Sequence, residues 1–307
     1  MITLVLAAGL LAAVPGMLSR RMAVPRHQRT WALATSGSLL VAAFYVVVGL
    51  ALLGAPVLLL AARGTSVAQV CEVLVGRFEP GGHVTAWLAT GLLGSTVVAA
   101  AWRLLRSRRR RMALRVPSYV GVHEPRDGFE LVTLPTDAAL AYSLAGRSPQ
   151  VVIARGLRAR LDEAQFAAVV AHEHAHLLLH HQRWLDAIEA SAGLLWFVPW
   201  AQRSARAARV ALECWADHDA VEVADRGSLR GALLVAADAA PASHAVASLN
   251  GADALAQRIA MLDGDRRRGD LSAPTLSLLA FTAVVATAGA VGGGPQLVAL
   301  FSHLCPL

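Results

Sequence analysis

The chain has 307 residues, of which 56% are hydrophobic and only 16% charged, and 28 Lys and Arg against 21 Asp and Glu give a net charge of +7. So apolar a composition, with its apolar residues gathered in runs, is not that of an ordinary soluble protein and points to membrane spans rather than one large core. The basic excess sits in arginine runs beside those stretches, with no recognition helix or aromatic stacking platform, so it reads as a topology signal against anionic lipid and not as a nucleic-acid surface.

Residues 2–18 carry no charge and are followed, not preceded, by Arg20 and Arg21. A cleaved signal peptide has the reverse order, so this is read as a retained first span. No charge stands between Arg29 and Arg63, a second span longer than a bilayer needs and expected to tilt or bend near Gly54 and Pro56. Residues 83–102 form a third span with Trp87 and Trp102 as interfacial anchors, and Pro274 to Phe301 a fourth. Arg20, Arg21, Arg26 and Arg29, and the run from Arg103 to Arg115, place the first loop and the segment after the third span in the cytoplasm. Both termini are then outside. The chain divides into a three-span region at 1–105, a cytoplasmic domain at 106–273, and a fourth span with a short external tail at 274–307. Cys71 and Cys305 fall outside, as a disulfide or as two thiols, and Cys214 falls in the reducing compartment.

Within the domain, residues 117–153 alternate the extended runs SYVGVHE, FELVTL, ALAYSLAG and QVVIA with turn residues, which predicts a small, mostly antiparallel sheet. Such a sheet lends an edge to a peptide substrate, covers the helix behind it, or does both. Asp162 and Gln165 make a capping box ahead of the apolar run Phe166 to Val170, predicting a helix over about 163–182. It carries His172-Glu173 and His176, an HExxH pattern. Residues four apart share a helix face, so two imidazoles can meet one ion with Glu173 beside them.

The uncharged aromatic stretch 190–201, with Trp196, Phe197 and Trp200, is too short to cross about 30 Å of hydrocarbon at about 1.5 Å per residue. It reads as a buried hairpin or a segment dipping into the membrane interface. A second long helix over 201–225 carries Glu213 and Asp217 one turn apart, a third metal ligand and a carboxylate to orient a ligand imidazole. His172, His176 and Glu213 would hold zinc with one position open for water, and Glu173 is the base that takes the water's proton. A metzincin's third histidine is excluded, because Gln182 stands at its position. His180 reads as a solvated helix-end residue, and His174, His181 and His218 as surface or packing residues.

AHEHAH at 171–176, ECWAD at 213–217, the stretch 150–176 and ALAQRIAML at 254–262 resemble the BlaR/MecR-type integral-membrane zinc metallopeptidases, and more distantly the HtpX-type membrane peptidases. The resemblance covers nearly the whole chain, since three spans, a cytoplasmic zinc domain and a fourth span is the antirepressor arrangement. HtpX-type enzymes place two spans after the motif helix.

The resemblance implies a mainly α fold, four transmembrane helices with a cytoplasmic α+β gluzincin-like domain inserted between the third and fourth. It implies Zn2+ on His172, His176 and Glu213, with Glu173 as catalytic base and Asp217 behind the ligands. Arg258 is either near the oxyanion or in a structural salt bridge. The implied partners are a cytoplasmic transcriptional repressor of the BlaI/MecI type, which the enzyme cleaves on a signal, and the lipid bilayer, with no direct contact to nucleic acid. No penicillin-binding sensor follows Phe301, so the signal is expected to enter through the outer loop, the spans or a partner protein. Two other functions stay open, a quality-control peptidase for membrane proteins and a non-catalytic zinc-containing sensor. Glu173 opposes the sensor, because a structural zinc site needs no base.

Overall fold

The computed structural model describes residues 27–63, 82–117, 119–238, 249–263, 276–288 and 291. The expected first span, Cys71, Cys305 and much of the expected fourth span lie outside these residues.

Two described helices are long and apolar enough to cross a bilayer. The first, α1 (Gln28–Arg63), is a single helix through Gly54 and Pro56, where the sequence suggested a bend. The second, α2 (Gly82–Ala113), is apolar as far as Trp102 and ends in the arginine run. Gly54 lets them meet closely, since a Cβ there would lie 2.6 Å from Thr90 Oγ1 and 3.3 Å from its backbone nitrogen.

Four strands follow, β1 (Val122–Arg126), β2 (Phe129–Leu134), β3 (Ala141–Leu144) and β4 (Gln150–Ala154), in the order β1-β2-β4-β3. β1 and β2 form a hairpin whose Gly128 takes a φ of +83°, as a tight turn demands. The two outer pairings are antiparallel, but β2 and β4 run parallel at the centre, which the expectation of a mostly antiparallel sheet did not include. All five residues of β4 are buried. Its apolar run suits a strand covered on both faces: Val151 and Ile153 pack with Leu131 and Val169, and Val152 packs with Val116 and Val132 on the other side.

After the short α3 (Arg155–Arg158), the motif helix α4 spans Glu163–Leu178. Its capping box forms as read: Gln165 N donates to Asp162 Oδ1 at 2.7 Å and Asp162 N to Gln165 Oε1 at 3.2 Å. The helix ends earlier than expected because His180 takes a left-handed conformation, φ 53°, and α5 (His181–Leu194) departs in a new direction. A turn then leads into α6 (Pro199–Val223), followed by α7 (Arg226–Asp238), α8 (Leu249–Asp263) and α9 (Leu276–Ala288).

α5 and α6 form a hairpin packed on α1 and α2. Small residues on α6, among them Ala201, Ala205, Ala208 and Ala211, let Leu39, Ala42 and Ala43 of α1 come close. The first third of α1 is therefore packed against the α5–α6 hairpin. Its polar residues are buried there, with Thr35 Oγ1 donating to Trp31 O and Ser38 Oγ to Thr35 O. The excess length of the second apolar stretch is explained by this packing.

Candidate metal centre

His172 and His176 leave α4 on one face, and Glu213 arrives from α6. The two Nε2 atoms are 3.2 Å apart, and the Glu213 carboxylate oxygens stand 3.4 Å from His172 Nε2 and 3.6 Å from His176 Nε2. A tetrahedral ion bound at about 2.1 Å sets its donors about 3.4 Å apart. The spacing and the donor set, two imidazoles and a carboxylate, both fit a catalytic zinc ion.

Behind the donors lies a second layer. Asp217, wholly buried, places Oδ1 2.9 Å from His172 Nδ1. Arg258, from α8, donates through Nε to Asp217 Oδ2 and through Nη2 to Oδ1, each at 2.7 Å, and its Nη1 lies 3.4 Å from Glu213 Oε2. The bidentate pair with Asp217 gives Arg258 a salt bridge, and its Nη2 also lies 3.5 Å from His172 Nε2. Burial opposes charge on His172, but Asp217 and Glu213 overcome it and hold the imidazole up at about 10. Burial likewise opposes the Glu213 and Asp217 anions. His176 and His172 nevertheless hold Glu213 well below the usual carboxylate range, and Arg258 and His172 do the same for Asp217.

His181 corrects the reading of it as an ordinary packing residue. It is fully buried, with Nδ1 2.9 Å from His176 Nδ1 and its ring 5.0 Å from that of Trp215. Burial first, and the neighbouring His176 second, lower its pKa to about 3, so it stays neutral and shares one proton with His176 between the two Nδ1 atoms. With that proton on His176 Nδ1, the Nε2 of His176 is the atom that would face a metal. Little in the sequence signals this, because on an unbroken helix residues five apart point about 140° apart. Only the left-handed turn at His180 brings the rings together.

Glu173 and the three donors line a cavity of about 530 Å³. One wall is β3, through Ala141, Tyr142 and Ser143, and another is α7, through Leu229, Ala232 and Leu233. Among the described residues no strand pairs with the outer edge of β3.

Residues 104–249 match the model of peptidase family M48. The match covers just under half of the chain, from the end of α2 to the start of α8, and includes every residue of the centre except Arg258. It supports a metallopeptidase of the M48 kind, to which the His172, His176 and Glu213 cluster conforms, without singling out the BlaR/MecR type. No curated protein and no solved structure matches the chain. His174 lies against Phe129 with ring centroids 4.5 Å apart, and His180 is exposed at the helix end as expected. Cys214, beside a ligand, is buried, and that burial pushes its thiol up to about 12, so it is inert as a nucleophile.

Proposed function

We propose that the chain is a membrane-embedded zinc endopeptidase whose cytoplasmic centre cleaves a transcriptional repressor of the BlaI/MecI type. The observation that carries the enzymatic part is that Glu173 and the three donors line one cavity walled by the open edge of β3. The order of spans read from the sequence favours the repressor.

His172, His176 and Glu213 would hold zinc, which when bound polarises a carbonyl and lowers the pKa of water. Asp217 and His181 fix the two imidazoles by their Nδ1 sides, so that both Nε2 atoms converge. Glu173 accepts the proton of the attacking water and returns it to the leaving amine. Ala154 N donates to Leu140 O, which makes Tyr142 and Leu144 the residues hydrogen-bonded to β4 and turns the backbone groups of Ala141 and Ser143 to the open edge. An extended segment added there is held by its backbone, so a linker or an unfolded loop is accepted and a helix is not.

The test is proteolysis by purified full-length protein in nanodiscs, wild type against Glu173→Gln, on a candidate repressor and on an unfolded membrane protein, with zinc content measured. A single cut in the repressor by wild type alone, with zinc retained in Glu173→Gln, bears the proposal out. Cleavage confined to the membrane protein transfers the reading to quality control. Zinc bound by both variants with neither substrate cut by either would overturn the enzyme in favour of a sensor.

A further inference from the structure

We propose that the turn between α5 and α6, residues 194–200, is an anchor immersed in the acyl chains of the cytoplasmic leaflet, with the headgroup plane at the level of Arg103 and Gln202. This rests on the reading of α1 and α2 as spans and fixes where along them the membrane lies.

From Gly82 to Arg103, α2 is free of Asp, Glu, Lys and Arg, a run of about 31 Å and so one hydrocarbon thickness. At its inner end Arg103 Nη1 donates to Gln202 Oε1 at 2.9 Å. Gly193 lies one turn further out, where a Cβ would come 2.4 Å from Ala100 Cα. The hairpin thus descends beside α2 and reverses just past Arg103. α1 gives the same level independently. Arg29 lies 5.8 Å from the Trp215 ring, and Gly54 meets Thr90. Between these two contacts the path along α1 is about 38 Å and the path along α6 and then α2 about 39 Å. The helices are therefore in register, and the Arg103 level falls near Val41 of α1, leaving about 33 Å to Arg63.

The turn itself is built for hydrocarbon. No charged residue stands between Glu189 and Arg203, and Trp196, Phe197 and Trp200 are exposed while Leu195 is fully buried. Several of its backbone groups are bonded within the protein: Gln202 Nε2 donates to Ala192 O at 2.8 Å and to Leu195 O at 3.3 Å, Trp196 N to Gly193 O, Val198 N to Leu195 O, and Ala201 N to Val198 O. Position 199 is Pro, which has no N–H to satisfy. Each such bond lowers the cost of placing this backbone in hydrocarbon. Aromatic residues just below a cation such as Arg103 match the composition of an interfacial belt.

The centre is then held at a fixed height. Glu213 stands eleven residues up α6 from Gln202, about 16 Å above the plane. A membrane-tethered substrate reaches it only with its scissile bond about five or more extended residues from the bilayer.

Spin labels on the full-length protein in nanodiscs, with Cys71 and Cys305 changed to Ser and buried Cys214 kept, test the depth. Labels go at Phe197→Cys in the turn, Val98→Cys on the exposed face of α2 and Val223→Cys at the far end of α6, and wild-type zinc content reports folding of each. The expected result is that Phe197 and Val98 labels collide several-fold more with oxygen than with a water-soluble chromium oxalate complex, and the Val223 label the reverse. If the Phe197 label behaves like that at Val223 while Val98 stays in lipid, the anchor is wrong and the spans stand. If the Phe197 label is shielded from both reagents, protein covers the turn and the proposal is likewise overturned. A Val98 label in water removes the spanning reading itself.

Discussion

Glu173 and His181 should fail in different ways when removed. Glu173→Gln keeps the three donors, so zinc content should stay at the wild-type level while turnover falls about a hundredfold or more. His181→Phe keeps the bulk against Trp215 but removes the acceptor for His176 Nδ1, and zinc affinity should fall about 10–100-fold, read by chelator competition. The metal-free centre also carries a proton that zinc must displace. Because the His172 pKa is raised from 6.5 to about 10, its charge contributes stability that is fully present below 6.5 and is lost as pH rises through about 10. Zinc binding at neutral pH should therefore release a proton, and affinity should climb with pH over that window; calorimetry in two buffers of different ionisation enthalpy measures both. Helical spacing puts His172, Glu173 and His176 together on one helix and Glu213 with Asp217 on another; that the two sets meet was read from the motif order and the family resemblance. Arg258 reaches Asp217 across 41 positions on a separate helix, and no spacing rule connects the two.

At the scale of elements, close approaches decide more than propensity. Gly193→Val would drive side-chain atoms into the Ala100 backbone and should lower stability in detergent by about 1–3 kcal/mol, seen as a reduced melting temperature. Asp162→Ala, which removes a cap on an otherwise intact α4, should cost about 1 kcal/mol. Ser143→Pro leaves the ladder to β4 intact but deletes an outward N–H, so KM for peptide substrates should rise with the fold unchanged. The strands and the start of α4 could be read from alternation and capping. The parallel pairing of β2 with β4 could not, because it depends on the chain laying β3 outside β4, and nothing local to either strand records that choice.

Over the whole molecule, charge patterning located the long apolar helices but not how each is shared between lipid and protein. The sequence divided membrane region from domain near residue 105. In the structure α1 belongs to both, since Trp31, Ala32 and Leu39 share a core with Ala205, Ala208 and Leu212. The M48-like segment by itself is thus an incomplete folding unit. A recombinant fragment beginning at residue 104 would bare the alanine stripe of α6 together with the face of α5 that α2 covers. Such a fragment should be recovered as aggregate, while a version retaining α1 and α2 should elute as a dispersed species in mild detergent, a contrast that size-exclusion chromatography reads directly. Trimming the long apolar helices to make the protein soluble therefore removes part of the scaffold on which the metal centre is built.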